Sequence, residues 1–127
     1  PAPGAAQDDA DADRAGPLAE HLWTARPVVI FAPSADDPRF RRQIRMIEER
    51  EEEFEARDVV VVADTTPGPS RFDTTPLREK YRPHDFNLLL IGKDGEIKLR
   101  RPAPVSGAQL LRLIDRLPLR QQEMGRR

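Results

Sequence analysis

The sequence predicts an α/β domain, a four-stranded mixed sheet flanked by helices in the order β-α-β-α-β-β-α. Three observations carry this. Pro27–Ala32 (PVVIFA) and Val59–Ala63 (VVVVA) are short, continuous, β-branched apolar runs, the pattern of strands buried on both faces. Between them lies a charged stretch with Phe40, Ile44, Ile47 and Phe54 at helical spacing. Strand, helix and strand within about forty residues imply a right-handed crossover between parallel strands. Finally, Lys93-Asp94-Gly95 separates two strand-like runs as a hairpin turn, which makes the sheet mixed.

Taken in order, residues 1–17 are rich in Ala, Asp and Pro and poor in apolar side chains, so they are expected to form a flexible lead-in to one domain over 18–127. Leu18, Leu22 and Trp23 predict a short helical turn whose tryptophan covers the bottom of the sheet. After the first strand, Pro33–Pro38 is a turn in which Asp37 caps a helix and Pro38 opens it. That helix is expected to reach Arg57, although Glu51 interrupts its apolar stripe; Arg45 with Glu49, and Glu53 with Arg57, sit four apart. The run from Val59 then predicts a second buried strand.

Asp64–Thr74 is a Pro/Gly loop. Thr75 caps a short helix that starts at Pro76 and places Leu77 and Tyr81 on one face. Arg82–Asp85 breaks it. Phe86–Ile91 is the third strand and Glu96–Arg100 the return strand, where Ile97 and Leu99 alternate with Lys98 and Arg100 as at an edge with one wet face. Ser106 and Gln109 form a capping box for the last helix, with Leu110, Leu113, Ile114 and Leu117 as its core stripe. Pro118 interrupts that helix, and Leu119–Arg127 is expected to be a short turn and a frayed end.

Composition narrows the function. The 127 residues suit one domain, and 34% charged side chains require a heavily charged surface around a compact core. The net charge is -1, from 21 basic and 22 acidic groups, so no overall field gathers nucleic acid and none is expected as a partner. No apolar run approaches the ~20 residues that span a bilayer. The absence of cysteine removes disulfides, thiolate catalysis and Cys-ligated zinc together. The opening Pro1–Ala6 and the Ala/Asp stretch after it read as a mature end left by signal-peptide removal or as a trimmed boundary; the expectation is a periplasmic or secreted protein.

The element order is similar to the core of the thioredoxin fold, in which the third strand pairs antiparallel with the first and the hairpin puts the fourth at an edge. Thioredoxins carry Cys-x-x-Cys where the first helix begins, and a cis-proline opening the third strand. Those positions fall here on Ala35 and Pro38, and on Phe86, with Pro83 three residues earlier. The resemblance therefore implies the fold without thiol–disulfide exchange or thiol peroxidase chemistry.

A closer resemblance lies in HLWTARPVVIFAPSADDP, the ARDVVVV step, the LLLIGKDGEIKLR hairpin and the ending IDRLPLRQQEM. Together they resemble domain-of-unknown-function family 4174 from His21 to Met124, and the ending, RQ-x-EM soon after a proline, is the most specific piece. That family comprises small bacterial proteins, often with a signal peptide, and a module of extracellular sushi-repeat proteins of animals. The resemblance implies a thioredoxin-like fold and export, and no particular reaction.

The residues that bear on chemistry are few. Asp36 and Asp37 at the first turn form a carboxylate pair suited to acid–base or metal work. Helix capping by Asp37, with Asp36 adding favourable charge at the positive helix end, explains them more simply. Ser34 as a nucleophile needs a base, for which His84 is the candidate, yet no G-x-S-x-G elbow surrounds it; His84 is better read as a loop residue bonded to Asp85. His21 and His84 make no metal motif, and the glutamates of Glu48–Glu55 point in different directions around a helix. Basic groups recur at Arg39–Arg45, Lys98–Arg101, Arg112, Arg116, Arg120 and at the end of the chain; brought to one side they would meet phosphates or acidic glycans, while scattered they serve solubility.

The sequence thus assigns no catalytic residue, no cofactor and no metal. It predicts a non-catalytic, exported binding or scaffold module with a protein partner in the cell envelope or outside. The candidate binding surface is Ser34, Asp36, Asp37, His84 and Asp85, together with the edge strand Glu96–Arg100. The alternative is an enzyme of unknown class that uses the Ser34–Asp37 turn with His84.

Overall fold

A computed structural model describes residues 16–65 and 74–125. The expected lead-in over 1–15, most of the Asp64–Thr74 loop and the last two residues lie outside the described residues. Four strands, β1 (Arg26–Phe31), β2 (Val59–Asp64), β3 (Asn87–Ile91) and β4 (Ile97–Arg101), form one sheet in the order β2-β1-β3-β4. β1 runs parallel to β2 and antiparallel to β3, and β3 is antiparallel to β4. The crossover and the hairpin thus pair as the sequence predicts.

Five helices flank the sheet: α1 (Pro38–Glu48), α2 (Glu51–Glu55), α3 (Pro76–Tyr81), α4 (Gly107–Arg116) and α5 (Pro118–Gly125), preceded by a 3-10 turn over Gly16–His21. β1 and β3 are central and completely buried, which is what their unbroken apolar runs require. Successive side chains alternate between two layers. Val28, Ile30, Leu88 and Leu90 pack with Ile47, Phe54, Leu110 and Ile114 of the helices on one face. Val29, Phe31, Leu89 and Ile91 pack with Leu18 and Tyr81 on the other.

Two contacts hold α1 against α4. The buried Gln43 amide donates to the Val105 carbonyl and accepts from its N–H, both at 2.8 Å, so one side chain mimics a strand partner for the loop before α4. Gly107, at the first position of α4, lets the helices approach closely: a Cβ there would lie 3.0 Å from the Met46 carbonyl oxygen. Ser106 caps α4, accepting from the Gln109 N–H at 3.2 Å, and Thr75 caps α3 by accepting from the Arg78 N–H at 3.1 Å, as their sequence patterns predict.

Four expectations are corrected. β2 is an edge strand rather than a fully buried one; Val61 is 42% exposed because β1 covers one edge of β2 and no described strand pairs with the other. The long helix breaks at Glu49-Arg50, where Arg50 leaves helical geometry (φ -131°, ψ 34°). Glu48, Glu49, Glu51, Glu52 and Glu53 crowd like charges at three- and four-residue spacing, which weakens a continuous helix; Phe54 stays buried beyond the break. Trp23 does not cover the sheet. It is 55% exposed, in a left-handed turn (φ 64°), and Leu18 fills the core place instead. Last, Pro118 opens a further helix of eight residues rather than ending one, since its missing N–H is not needed at a helix start.

Candidate functional site

The turn between β1 and α1 is closed by its own side chains. Asp37 caps α1 by accepting the Arg39 N–H at 2.9 Å through Oδ1. The Arg39 guanidinium folds back on the same carboxylate, Nε to Oδ1 at 3.0 Å and Nη2 to Oδ2 at 2.8 Å. Its remaining arm reaches Asp85 Oδ2 at 2.8 Å, and the cation stands 5.6 Å from the centre of the buried Phe86 ring. The side-chain hydrogen bond from Arg39 is the chief cause that lowers the Asp37 carboxyl to about 2. Asp36 is engaged too, accepting from Arg41 Nη2 at 2.7 Å.

Of the predicted surface, Asp37 and Asp85 are thus brought together, with Arg39 as the link that sequence reasoning left out. Ser34 is exposed, and its carbonyl accepts the Asp37 N–H. His84 is exposed, and its backbone N–H donates to Asn87 Oδ1 at 2.8 Å. Among the described residues, neither the Ser34 hydroxyl nor the His84 imidazole hydrogen-bonds to the other or to an aspartate. The expected His84–Asp85 bond is absent because Asp85 faces Arg39.

Two further clusters lie beyond what spacing alone suggests. At the carboxyl ends of β1 and β2, buried Asp64 accepts from the Thr75 hydroxyl and from Arg78 Nε, while Arg78 Nη2 donates to the Ala32 and Asp64 carbonyls at 3.0 and 2.9 Å. Arg78 also stands 5.4 Å from the Phe31 ring centre. At the opposite end of the sheet, Arg26 is 1% exposed and donates to Glu123 through two nitrogens, both at 3.2 Å, and to the Arg57 carbonyl at 2.9 Å. Lys93 Nζ joins Glu123 to Asp58, at 2.8 Å each. Asp115 takes a two-point pair from Arg57 and lies 3.5 Å from Arg120. Burial works to raise the Glu123 carboxyl, but the hydrogen bonds from Lys93 and Arg26 outweigh it and hold the group at about 2. Among the described residues, no three His, Asp or Glu side chains are placed to share a metal ion.

A family model described as Domain of unknown function (DUF4174) matches residues 17–123. The chain belongs to this family. Among solved structures, the fold of this DUF4174 protein is similar to that of thioredoxin peroxidase I from Plasmodium yoelii, with a TM-score of 0.57 and 16% identity over 84% of this chain and 79% of that one. It is similar also to Prx1a of Plasmodium yoelii, modified at its N-terminus, with a TM-score of 0.56 and 17% identity over 84% of this chain and 80% of that one. The likeness establishes a thioredoxin-like fold. The DUF4174 chain has no cysteine and is therefore not a thiol redox enzyme.

The sequence signal for the basal cluster was present in this DUF4174 member. The RQ-x-EM ending supplies Arg120 and Glu123, the buried arginine and the shared carboxylate. Their partners Arg26 and Lys93 flank the central strands, so only the folded sheet brings the four together.

Proposed function

We propose that this protein is a non-catalytic binding or scaffold module, exported to the periplasm or cell surface, that engages a protein partner. The observation that carries this reading is the closed α1 turn. Chemistry at such a turn needs an activated nucleophile and donors left open for developing charge. Here Asp37 takes the first-turn N–H and Arg39 is divided between Asp37 and Asp85. Export is supported by the family resemblance.

Recognition falls to the sheet edges. β4 presents Ile97, 46% exposed, and β2 presents Val61. An outer strand edge accepts an extended segment through main-chain hydrogen bonds, with alternate side chains supplying specificity. A photo-cross-linking side chain introduced at 97, 61 or 34 in the native host tests this. The expected result is a cross-link from 97 or 61 to one defined envelope protein, unchanged when Ser34, Asp36, Asp37 and His84 are all replaced by Ala in a variant that circular dichroism shows to be folded. Silence at 97 and 61, or a cross-link only from 34 that the quadruple variant abolishes, would overturn it and favour an enzyme of unknown class at the turn.

A further inference from the structure

The α4 face of the sheet carries a second feature, independent of the turn. A cavity of about 360 Å³ lies between the end of β4, the loop after it and α4. Its basic lining is Arg101, Arg112 and Arg116, its polar lining includes Gln109, and Leu99 and Leu113 supply apolar surface. The placement follows from the fold. Leu99 and Arg101 are two apart on β4 and share a sheet face. Gln109, Arg112, Leu113 and Arg116 are three or four apart on α4 and share a helix face.

No carboxylate lines this cavity. That sets it apart in a chain whose charges are otherwise matched locally. Arg26, Arg39, Arg41, Arg50, Arg57, Arg78 and Arg120 each pair with a carboxylate. The three cavity arginines have no carboxylate partner among the described residues. Arg116 Nε leans on the Arg112 carbonyl at 3.3 Å, and Arg101 Nη1 on the Arg100 carbonyl at 2.9 Å. Arg42, Arg45 and Arg82 also lack such a pair, but they are exposed and do not line this cavity. Arg112 and Arg116, four apart on one helix, repel each other, and Arg101 adds a third positive charge across the gap. A bound anion relieves that repulsion, and guanidinium groups suit planar carboxylates and phosphates.

We propose that this cavity is a binding site for a small organic anion that carries two or more negative charges on a short apolar body. The guanidinium groups hold the acid groups, Gln109 supplies an uncharged donor and acceptor, and Leu99 and Leu113 contact the body. A volume of this size lies in the range of small-ligand pockets. A phosphate monoester and a dicarboxylate both present this chemistry.

The test uses phenyl phosphate, phthalate and neutral benzamide as probes, followed by the backbone amide resonances of residues 99–101 and 109–116 and by calorimetry. Saturable binding of either acid is expected, weakening with salt and reduced by at least about tenfold in R101Q/R112Q/R116Q, whose melting temperature stays within a few degrees of the parent. Which acid binds more tightly identifies the preferred source of charge. No saturation by either acid up to about 10 mM, equal binding by the triple variant, or equal binding of benzamide would overturn the proposal. If the triple variant unfolds, R112Q alone is read in its place, with a several-fold loss expected and no loss contradicting the site.

Discussion

Arg26 and Glu123, 97 positions apart, meet in a two-point ion pair at the foot of the sheet, with both nitrogen–oxygen distances 3.2 Å. The arginine is the first residue of β1, and the glutamate sits near the end of the last helix. Removing one partner of a buried pair leaves the other charge uncompensated, which costs about 3–5 kcal/mol. Glu123→Ala is therefore expected to lose about 3 kcal/mol or more in urea denaturation, with Lys93 also left without one of its two carboxylates. The double variant R26M/E123M is expected to lose less than the single one, because no buried guanidinium is stranded.

The same carboxylate sets an acid limit. Its folded-state value of about 2 lies below its ordinary 4.5. A depressed acid contributes stability in full above the ordinary value and loses it as pH falls toward the folded one. Stability is expected to decline between about pH 4.5 and 2, in part from this group. Denaturation curves across that window should fall less steeply for Glu123→Gln than for the parent protein.

Gln43 offers a separable test of the α1–α4 joint. Gln43→Leu keeps the bulk but leaves the N–H and carbonyl of Val105 without their partner. Orphaned buried groups cost about 1–3 kcal/mol each, so a loss of about 2–4 kcal/mol is expected, with faster hydrogen exchange at the Val105 amide.

Gly107→Ala probes the same joint sterically. The new Cβ would meet the Met46 carbonyl at 3.0 Å and Arg50 Cδ at 3.2 Å. The side chain can swing aside, but the carbonyl belongs to α1 and cannot move without the helix. A loss of about 1–2 kcal/mol is expected from thermal unfolding, against the usual gain for Gly→Ala in a helix.

At the turn, the two aspartates are expected to behave differently. Asp37→Ala removes a helix cap and should cost about 1 kcal/mol. Asp85→Asn breaks an exposed pair and should cost no more than about 0.5 kcal/mol while freeing one arm of Arg39. Equal losses in denaturant would show that the bridge to Asp85, rather than the cap, fastens this end of α1.

The sequence made the strands, the caps and the topology legible because these depend on near neighbours: unbroken apolar runs, Thr75 or Ser106 before a helix, a three-residue hairpin turn. It misled where composition and position diverge. VVVVA reads like PVVIFA, yet only β1 has a neighbour on each side. Leu18 and Trp23 are both plausible core residues, and the backbone at Trp23 decided between them. Of the site, Asp37 as a cap was readable. Arg39 as a bridge was not, because Asp85 lies 46 positions away and only the pairing of β1 with β3 brings its loop to the turn. The unpaired arginines around the α4 cavity were visible as a scatter of basic residues, and their convergence is a property of the sheet.

Glu123 also sets an order of events during synthesis. β1 forms the middle of the sheet, yet the charge at its first residue is balanced by a carboxylate 97 positions downstream. A nascent chain can pair its strands once β4 has left the ribosome, but the Arg26 guanidinium then has only the Arg57 carbonyl to receive it. The native burial of Arg26 waits for the last helix, so the early sheet is kept open at its foot until nearly the whole domain has emerged.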